Sequence, residues 1–287
     1  AFAQAPSLVA HRAASLELEM KTKVTPEELW ALIGTSNAPH VVDVCLAEDA
    51  AEIGAIVPTA KSRKHTEVDE WAPAFDGKPV AVICQKGLKL SEGVAAILRL
   101  RGIDACNVDG GVFGWRDAGL PMVPVSALPP RVDGKTRWVT RARPKIDRIA
   151  CPWLIRRFVD PHAEFLFVDA SQVSGVADRF NATPFDIDGV YWSHRGETCT
   201  FDTMVEQFGL ATPALLTLAT IVRGADTARL DLAPQCAGLL AVSLGLSRNF
   251  QSDLQQLEAG MAVYDALYAW ARDGQGETHN WPSQVPA

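Results

Sequence analysis

Cys84 closes a short apolar run, Val80-Ala81-Val82-Ile83, and is followed at once by Gln85-Lys86-Gly87-Leu88-Lys89. A thiol in that setting points to nucleophilic chemistry. The run reads as a β-strand, and beyond the loop Leu90, Val94, Ile97 and Leu98 fall at helical spacing, with Glu92 and Arg99 left for solvent. A cysteine on a loop that feeds a helix meets unpaired backbone N–H groups and the positive end of the helix dipole. Lys86 and Lys89 add positive charge, and such surroundings favour an anionic sulfur, the form that attacks. The curled loop would also form a nest of N–H donors able to hold an anion against the sulfur. Gln85, Gly87, Leu88, Leu90 and Ser91 would line that nest. The plainer alternative is a structural thiol, since free cysteines are often simply core.

A second set of chemistry-bearing residues lies in the other half of the chain. His194 and Glu197 stand three apart just before a helix, with Cys199 and Asp202 close behind and Asp226 and Asp231 farther on. Imidazole with carboxylates suits iron, manganese or zinc. The competing reading makes His194 a hydrogen-bonded structural residue and Glu197 a favourable charge at the next helix N-terminus. A basic group, Arg137, Arg141, Arg143, Lys145, Arg148, Arg156 and Arg157, could capture an oxyanion in bidentate fashion. It could equally be a solvated face held in ion pairs. Asp147 and Cys151 sit one helical turn apart and share a face, where Cys151 reads as core.

Cys84-x-x-Gly87-x-Lys89 resembles the active-site loop of single-domain rhodaneses, in which the last position is usually arginine. Val41-Val42-Asp43-Val44 is similar to the family's strand ending in Asp-Val. The stretch from Val108-Asp109-Gly110-Gly111 through Trp115 to Ala118-Gly119-Leu120-Pro121 is similar to its closing signature. This resemblance covers about residues 24–123. It implies a sulfurtransferase whose Cys84 carries a persulfide, with Lys86, Lys89 and Asp43 assisting and a small donor such as thiosulfate. Two residues depart from the pattern. Cys45 stands where many members have arginine, and Lys89 offers a point charge in place of a planar two-pronged clamp. The loop keeps four residues between Cys84 and Lys89, the length found in sulfur-transferring members.

Residues 137–272 resemble the C-terminal domain of chromate-resistance B proteins. The runs Ala142–Phe158, Ser193–Phe201 and Ile221–Asp226 carry the likeness. It implies a role in chromate or oxidative stress, in sensing or detoxification. Some relatives carry histidine in place of Arg223 and aspartate in place of Gly224, which leaves His194, Glu197 and Asp226 as the metal set here.

These groups need a scaffold, and the pattern supplies one. Thr25, Pro26 and Glu28 open a helix with a capping box. Strands at 41–44, 80–83 and 105–108 alternate with helices, which implies a parallel sheet carrying the site at its C-terminal ends. Pro121, Pro124, Pro129 and Pro130 mark a linker over 124–136. Beyond it come an extended segment at 137–143, a helix at 148–159, a strand at 164–168, and a mainly helical run from Thr200 on. The fold expected is therefore an α/β rhodanese-like parallel sheet flanked by helices, then a mainly helical α+β domain over 137–287, with residues 1–23 as an extension.

The chain has 287 residues, 48% of them hydrophobic and 21% charged, which reads as globular. A net charge of −7 argues against a nucleic-acid partner. No apolar run approaches the roughly 20 residues of a membrane span. Six scattered cysteines with no C-x-x-C pair favour a reducing compartment, hence the cytoplasm. Met20 reads as a natural start, and export becomes the alternative if Ala1 follows a cleaved signal peptide. The expected function is sulfur transfer at Cys84. The alternative is a metal- or oxyanion-binding sensor in which the rhodanese half is a redox or docking module.

Overall fold

The computed structural model describes residues 21–277. The expectations about residues 1–19 and about the tail from 278 onward fall outside the described residues. The chain divides into two compact units, one reaching Val125 and resuming at Arg272, the other spanning Ser126–Ala271.

The first unit is built on a five-stranded parallel sheet. Its strands are β1 (Lys23–Val24), β2 (His40–Asp43), β4 (Lys61–Ser62), β5 (Val80–Ile83) and β6 (Ala105–Val108), in the order β1-β6-β5-β2-β4. β5 lies between β6 and β2 and is buried along its whole length, as a strand covered on both faces must be. Val42, Val44, Val82, Ala95 and Leu98 belong to the core at this sheet. The helices that position the Cys84 loop are α1 (Pro26–Leu32), α4 (Lys89–Leu100) and α5 (Gly111–Asp117), with α2 (Ala47–Ile53) and α3 (Val68–Trp71) between the strands. The α1 capping box forms as its sequence predicts: Glu28 N donates to Thr25 Oγ1 at 3.2 Å and Thr25 N to Glu28 Oε2 at 2.8 Å. β3 (Ala55–Ile56) and β7 (Val123–Pro124) pair antiparallel, so the first residues of the proline-rich stretch are tied into this unit.

The second unit joins a small sheet to a helical majority. β9 (Lys135–Arg141) pairs parallel with β10 (Glu164–Val168) and β11 (Thr183–Pro184), and antiparallel with β8 (Arg131–Val132). Helix α6 (Asp147–Leu154) carries Pro152 in its interior, and five residues of π-helix, Ile155–Val159, follow. A proline removes one ladder donor and crowds the preceding turn, and the chain accommodates such misfits with wider turns. After α7 (Val173–Phe180) come α8 (Thr200–Gln207), α9 (Pro213–Asp226), α10 (Gln235–Asn249) and α11 (Asp253–Ala269). The Val190–Trp192 segment forms no strand of its own and makes a single bridge, between Phe185 and Trp192. Trp192 instead stacks on Phe208, with ring centroids 4.6 Å apart. Among the described residues no helix is long and apolar enough to cross a membrane.

Candidate functional sites: a cysteine loop and a histidine among three aspartates

Cys84 directly follows β5, and its side chain is buried. Its Sγ lies 3.2 Å from Ser91 Oγ, on the first turn of α4. Ser91 Oγ is also 3.3 Å from the Leu88 carbonyl. The hydroxyl has one proton, so it can donate to that carbonyl while accepting from a thiol, or turn and donate to a sulfur anion. Sequence spacing placed Ser91 at the site but not this direct contact.

The loop is clamped from outside. Val112 N donates to Cys84 O and Phe113 N to Gln85 O, both at 3.0 Å, and Asn107 Nδ2 donates to Gly87 O at 3.3 Å. Its carbonyls are thereby engaged, while the N–H groups of Lys89, Leu90 and Ser91 open a helix whose first turn has no internal acceptor. The backbones come very close. A Cβ at Gly111 would stand 2.1 Å from Cys84 O and 2.3 Å from Gly87 N, and one at Gly87 would stand 2.5 Å from Gly111 N. The double glycine thus exists for backbone contact with the cysteine loop. Trp115, fully buried, fixes the far end of α5 by donating from Nε1 to Pro121 O at 2.8 Å.

The other expected members of this site are placed unevenly. Lys86 and Lys89 are exposed, and neither forms an ion pair among the described residues. Leu88 is 56% exposed at the lip of the loop. The Leu90 side chain packs against the core at the sheet, because helical periodicity turns it inward, while its N–H stays among the first donors of α4. Asp43, expected to support the Cys84 loop, holds a different turn: its Oδ1 accepts from Cys45 N at 2.9 Å. Burial raises the Asp43 pKa, against the pull of those Cys45 hydrogen bonds. Cys45 packs beside the core that includes Cys84, and burial together with Asp43 pushes its thiol up.

In the second unit four segments converge on His194. Its Nε2 lies 3.4 Å from Asp147 Oδ2, 3.5 Å from Asp186 Oδ1 and 3.3 Å from Asp226 Oδ2. Asp147 is the first residue of α6, Asp226 the last of α9, and Asp186 follows β11. Thr200, the first residue of α8, fixes two of the acids, donating from N to Asp147 Oδ2 at 2.6 Å and from Oγ1 to Asp186 Oδ1 at 2.9 Å. Hydrogen bonds to Asp147, Asp186 and Asp226, in that order, push the His194 pKa up to about 12. Burial pushes Asp147 up to about 6, with His194 pulling the other way.

Glu197 is a correction to the sequence reading. It is 90% exposed, 3.5 Å from Arg229, and outside the cluster. The spacing of three has no helical meaning here, since Arg195 and Thr198 close a tight turn on each other and α8 begins only at Thr200. Cys199 is buried and Asp202 pairs with Arg223 at 2.9 Å. The acids that sequence reasoning missed are Asp147 and Asp186. Asp186 stands between apolar neighbours, Phe185 and Ile187, and a carboxylate in such a run is a signal of a buried partnered acid; Asp147, between Ile146 and Arg148, carries no such signal.

The basic residues are used internally. Arg137 pairs with Glu164, Arg141 and Arg148 with Asp186, Arg156 with Glu258 and Arg157 with Asp265. Arg143 donates to the Ser247 and Phe250 carbonyls. That is the ion-pair reading of the cluster. A cavity of about 580 Å³ beside Arg156 and Arg157 includes neither His194 nor its three acids.

The parallel sheet with a clamped thiol loop defines a rhodanese-like domain, and the unit after it is of a second, separate type. Over 103 residues the chain is 37% identical to a thiosulfate sulfurtransferase of Actinobacillus succinogenes, covering 35% of this chain and 89% of that protein. Residues 138–271 match the family model described as ChrB, C-terminal domain. Over 133 residues the chain is 35% identical to the ChrB protein of Cupriavidus metallidurans, and the match spans 46% of this chain and 40% of that relative's length. A rhodanese-like domain protein of Staphylococcus aureus is similar in structure, with 28% identity, a TM-score of 0.30, and coverage of 33% of this chain and 91% of that one. The chain belongs to the rhodanese-like family, and the part after that domain is similar to the ChrB C-terminal domain.

Proposed function

We propose that the first unit is a sulfurtransferase in which Cys84 shuttles a sulfur atom. The Cys84 thiolate attacks the outer sulfur of a thiosulfate-class donor. The new S–S bond forms as the donor's S–S bond breaks, its electron pair leaving with sulfite, and Cys84 becomes a persulfide anion. An acceptor nucleophile then takes the outer sulfur and returns the thiolate. The first N–H groups of α4 and the Ser91 hydroxyl are the donors available to the anionic sulfur, and Lys86 and Lys89 supply diffuse positive charge toward an incoming dianion. The observation that carries this reading is the contact of 3.2 Å between Cys84 Sγ and a buried hydroxyl that can reverse its hydrogen bond.

The likeness of the second unit to a ChrB protein supports a role for this chemistry in chromate or oxidative-stress resistance. The test is steady-state turnover with thiosulfate and cyanide, beside a mass measurement of the donor-treated protein. Wild type should turn over and gain one sulfur atom at Cys84, and Cys84→Ser should do neither. Equal inactivity of both proteins would remove the enzyme reading and leave the first unit as a docking or redox module.

A further inference from the structure

Three carboxylates gather around His194 in the second unit. Arg148 Nε at 3.2 Å and Arg141 Nη2 at 3.6 Å both serve Asp186 Oδ2. Asp147 is fully buried, yet its Oδ1 accepts no hydrogen bond, while Oδ2 of the same carboxylate stands in the cluster against His194. A fully buried carboxylate oxygen with no partner is costly unless something fills the place beside it.

The distances favour an ion as that partner. The three N···O separations at His194, 3.3 to 3.5 Å, exceed the ~2.7–3.2 Å of a good N–H···O bond. They match the spacing of atoms sharing one metal. Ligands at about 2.1 Å from a common ion stand roughly 3.0 Å apart in an octahedron and 3.4 Å in a tetrahedron. One oxygen each from Asp147 and Asp186 and one His194 nitrogen all lie within 4.8 Å of one another. Thr200 orients two of the acids from behind, as outer groups do around metal ligands.

We propose that Asp147, Asp186 and His194 form a binding site for one divalent first-row cation of the manganese(II) or iron(II) type, with Asp226 against the imidazole as an outer group. Two carboxylates and one imidazole make a hard, mixed oxygen–nitrogen set that suits these ions. His194 is 41% exposed at its side chain and Asp226 21%, so the site is open on one side, leaving a position for water or an exogenous ligand.

The full chain, stripped with a chelator, would be titrated with manganese(II), the free ion followed by electron paramagnetic resonance and the protein by its melting temperature. Wild type should take up one ion per chain and melt higher when loaded. His194→Gln and Asp226→Asn, both at partly exposed positions, should keep the wild-type metal-free circular dichroism and bind at least tenfold more weakly. Glu197→Gln should bind as wild type. No stoichiometric uptake of manganese(II) or iron(II), uptake of zinc alone, or wild-type affinity in both the His194 and Asp226 variants would overturn the assignment.

Discussion

Replacing Gly111 by alanine tests how the cysteine loop is held. Two costs arise and they can be separated. Gly111 has φ +60°, a left-handed conformation that costs an L-residue about 1–2 kcal/mol. Its added Cβ would also stand 2.1 Å from Cys84 O and 2.3 Å from Gly87 N, both backbone atoms that no rotamer change can withdraw. Forcing a methyl into packed surroundings costs about 1–3 kcal/mol more, for a sum of about 2–5 kcal/mol. Gly77 is the control. It has φ +69° with nothing within 4 Å of its Cβ position, so Gly77→Ala should lose only the conformational part. In calorimetry of the full chain, the first unit's transition should fall by ~5 °C for each kcal/mol, with the second unit's transition in place. Turnover should fall with the loop, since the displaced atom is the carbonyl of Cys84 itself. If Gly111→Ala melts within about 1 kcal/mol of Gly77→Ala, the close backbone approach is not what holds the loop, and the account of the double glycine is wrong.

Two further predictions address the sulfur and its neighbours. Ser91→Ala removes the hydroxyl beside Cys84 Sγ, and a hydrogen bond to a charged group contributes about 1.5–3 kcal/mol, so kcat/KM for thiosulfate should fall at least about tenfold. Unchanged kinetics would make that hydroxyl a packing group only. Burial pushes the Cys106 thiol up to about 12 from an ordinary 9.0, so the folded protein keeps a proton that the unfolded chain loses in between. Stability from this group is complete below pH 9 and drains as pH rises from 9 toward 12, so Cys106→Ala should flatten that decline in urea unfolding.

The parts of the molecule legible in the sequence are those whose partners lie nearby along the chain. The β5–loop–α4 segment is contiguous, so hydrophobic period and loop composition place Cys84 between strand and helix, and the capping box of α1 spans only four residues. The glycine signature at 110–111 could be matched as a pattern, but its physical purpose could not be read, because the clash it avoids is with a backbone some twenty-five residues earlier. Asp43 differs from its expected place for a related reason: it is near Cys84 in a topological sense, yet the turn after its strand sends its carboxylate to Cys45 N.

The His194 cluster marks the limit most clearly. Local spacing nominated Glu197, and a two-residue turn placed it in solvent. One helical turn relates Asp147 to Cys151, and that relation explains nothing about why the first carboxylate of the helix should be fully buried. Its reason is tertiary. The start of α6, the start of α8 and the end of α9 meet, and their contacts deliver the Asp147 and Asp226 carboxylates to one imidazole while the Thr200 hydroxyl holds Asp186 beside them. The chain reaches this arrangement through two residues at positive φ, Ile146 directly before Asp147 and Asp186 itself. Isoleucine resists that region more than most residues, being β-branched. Tertiary hydrogen bonds hold it there: Ile146 N donates to Ser243 Oγ at 3.3 Å and the Tyr264 hydroxyl donates to Ile146 O at 3.0 Å, so two distant helices fix the backbone that presents Asp147.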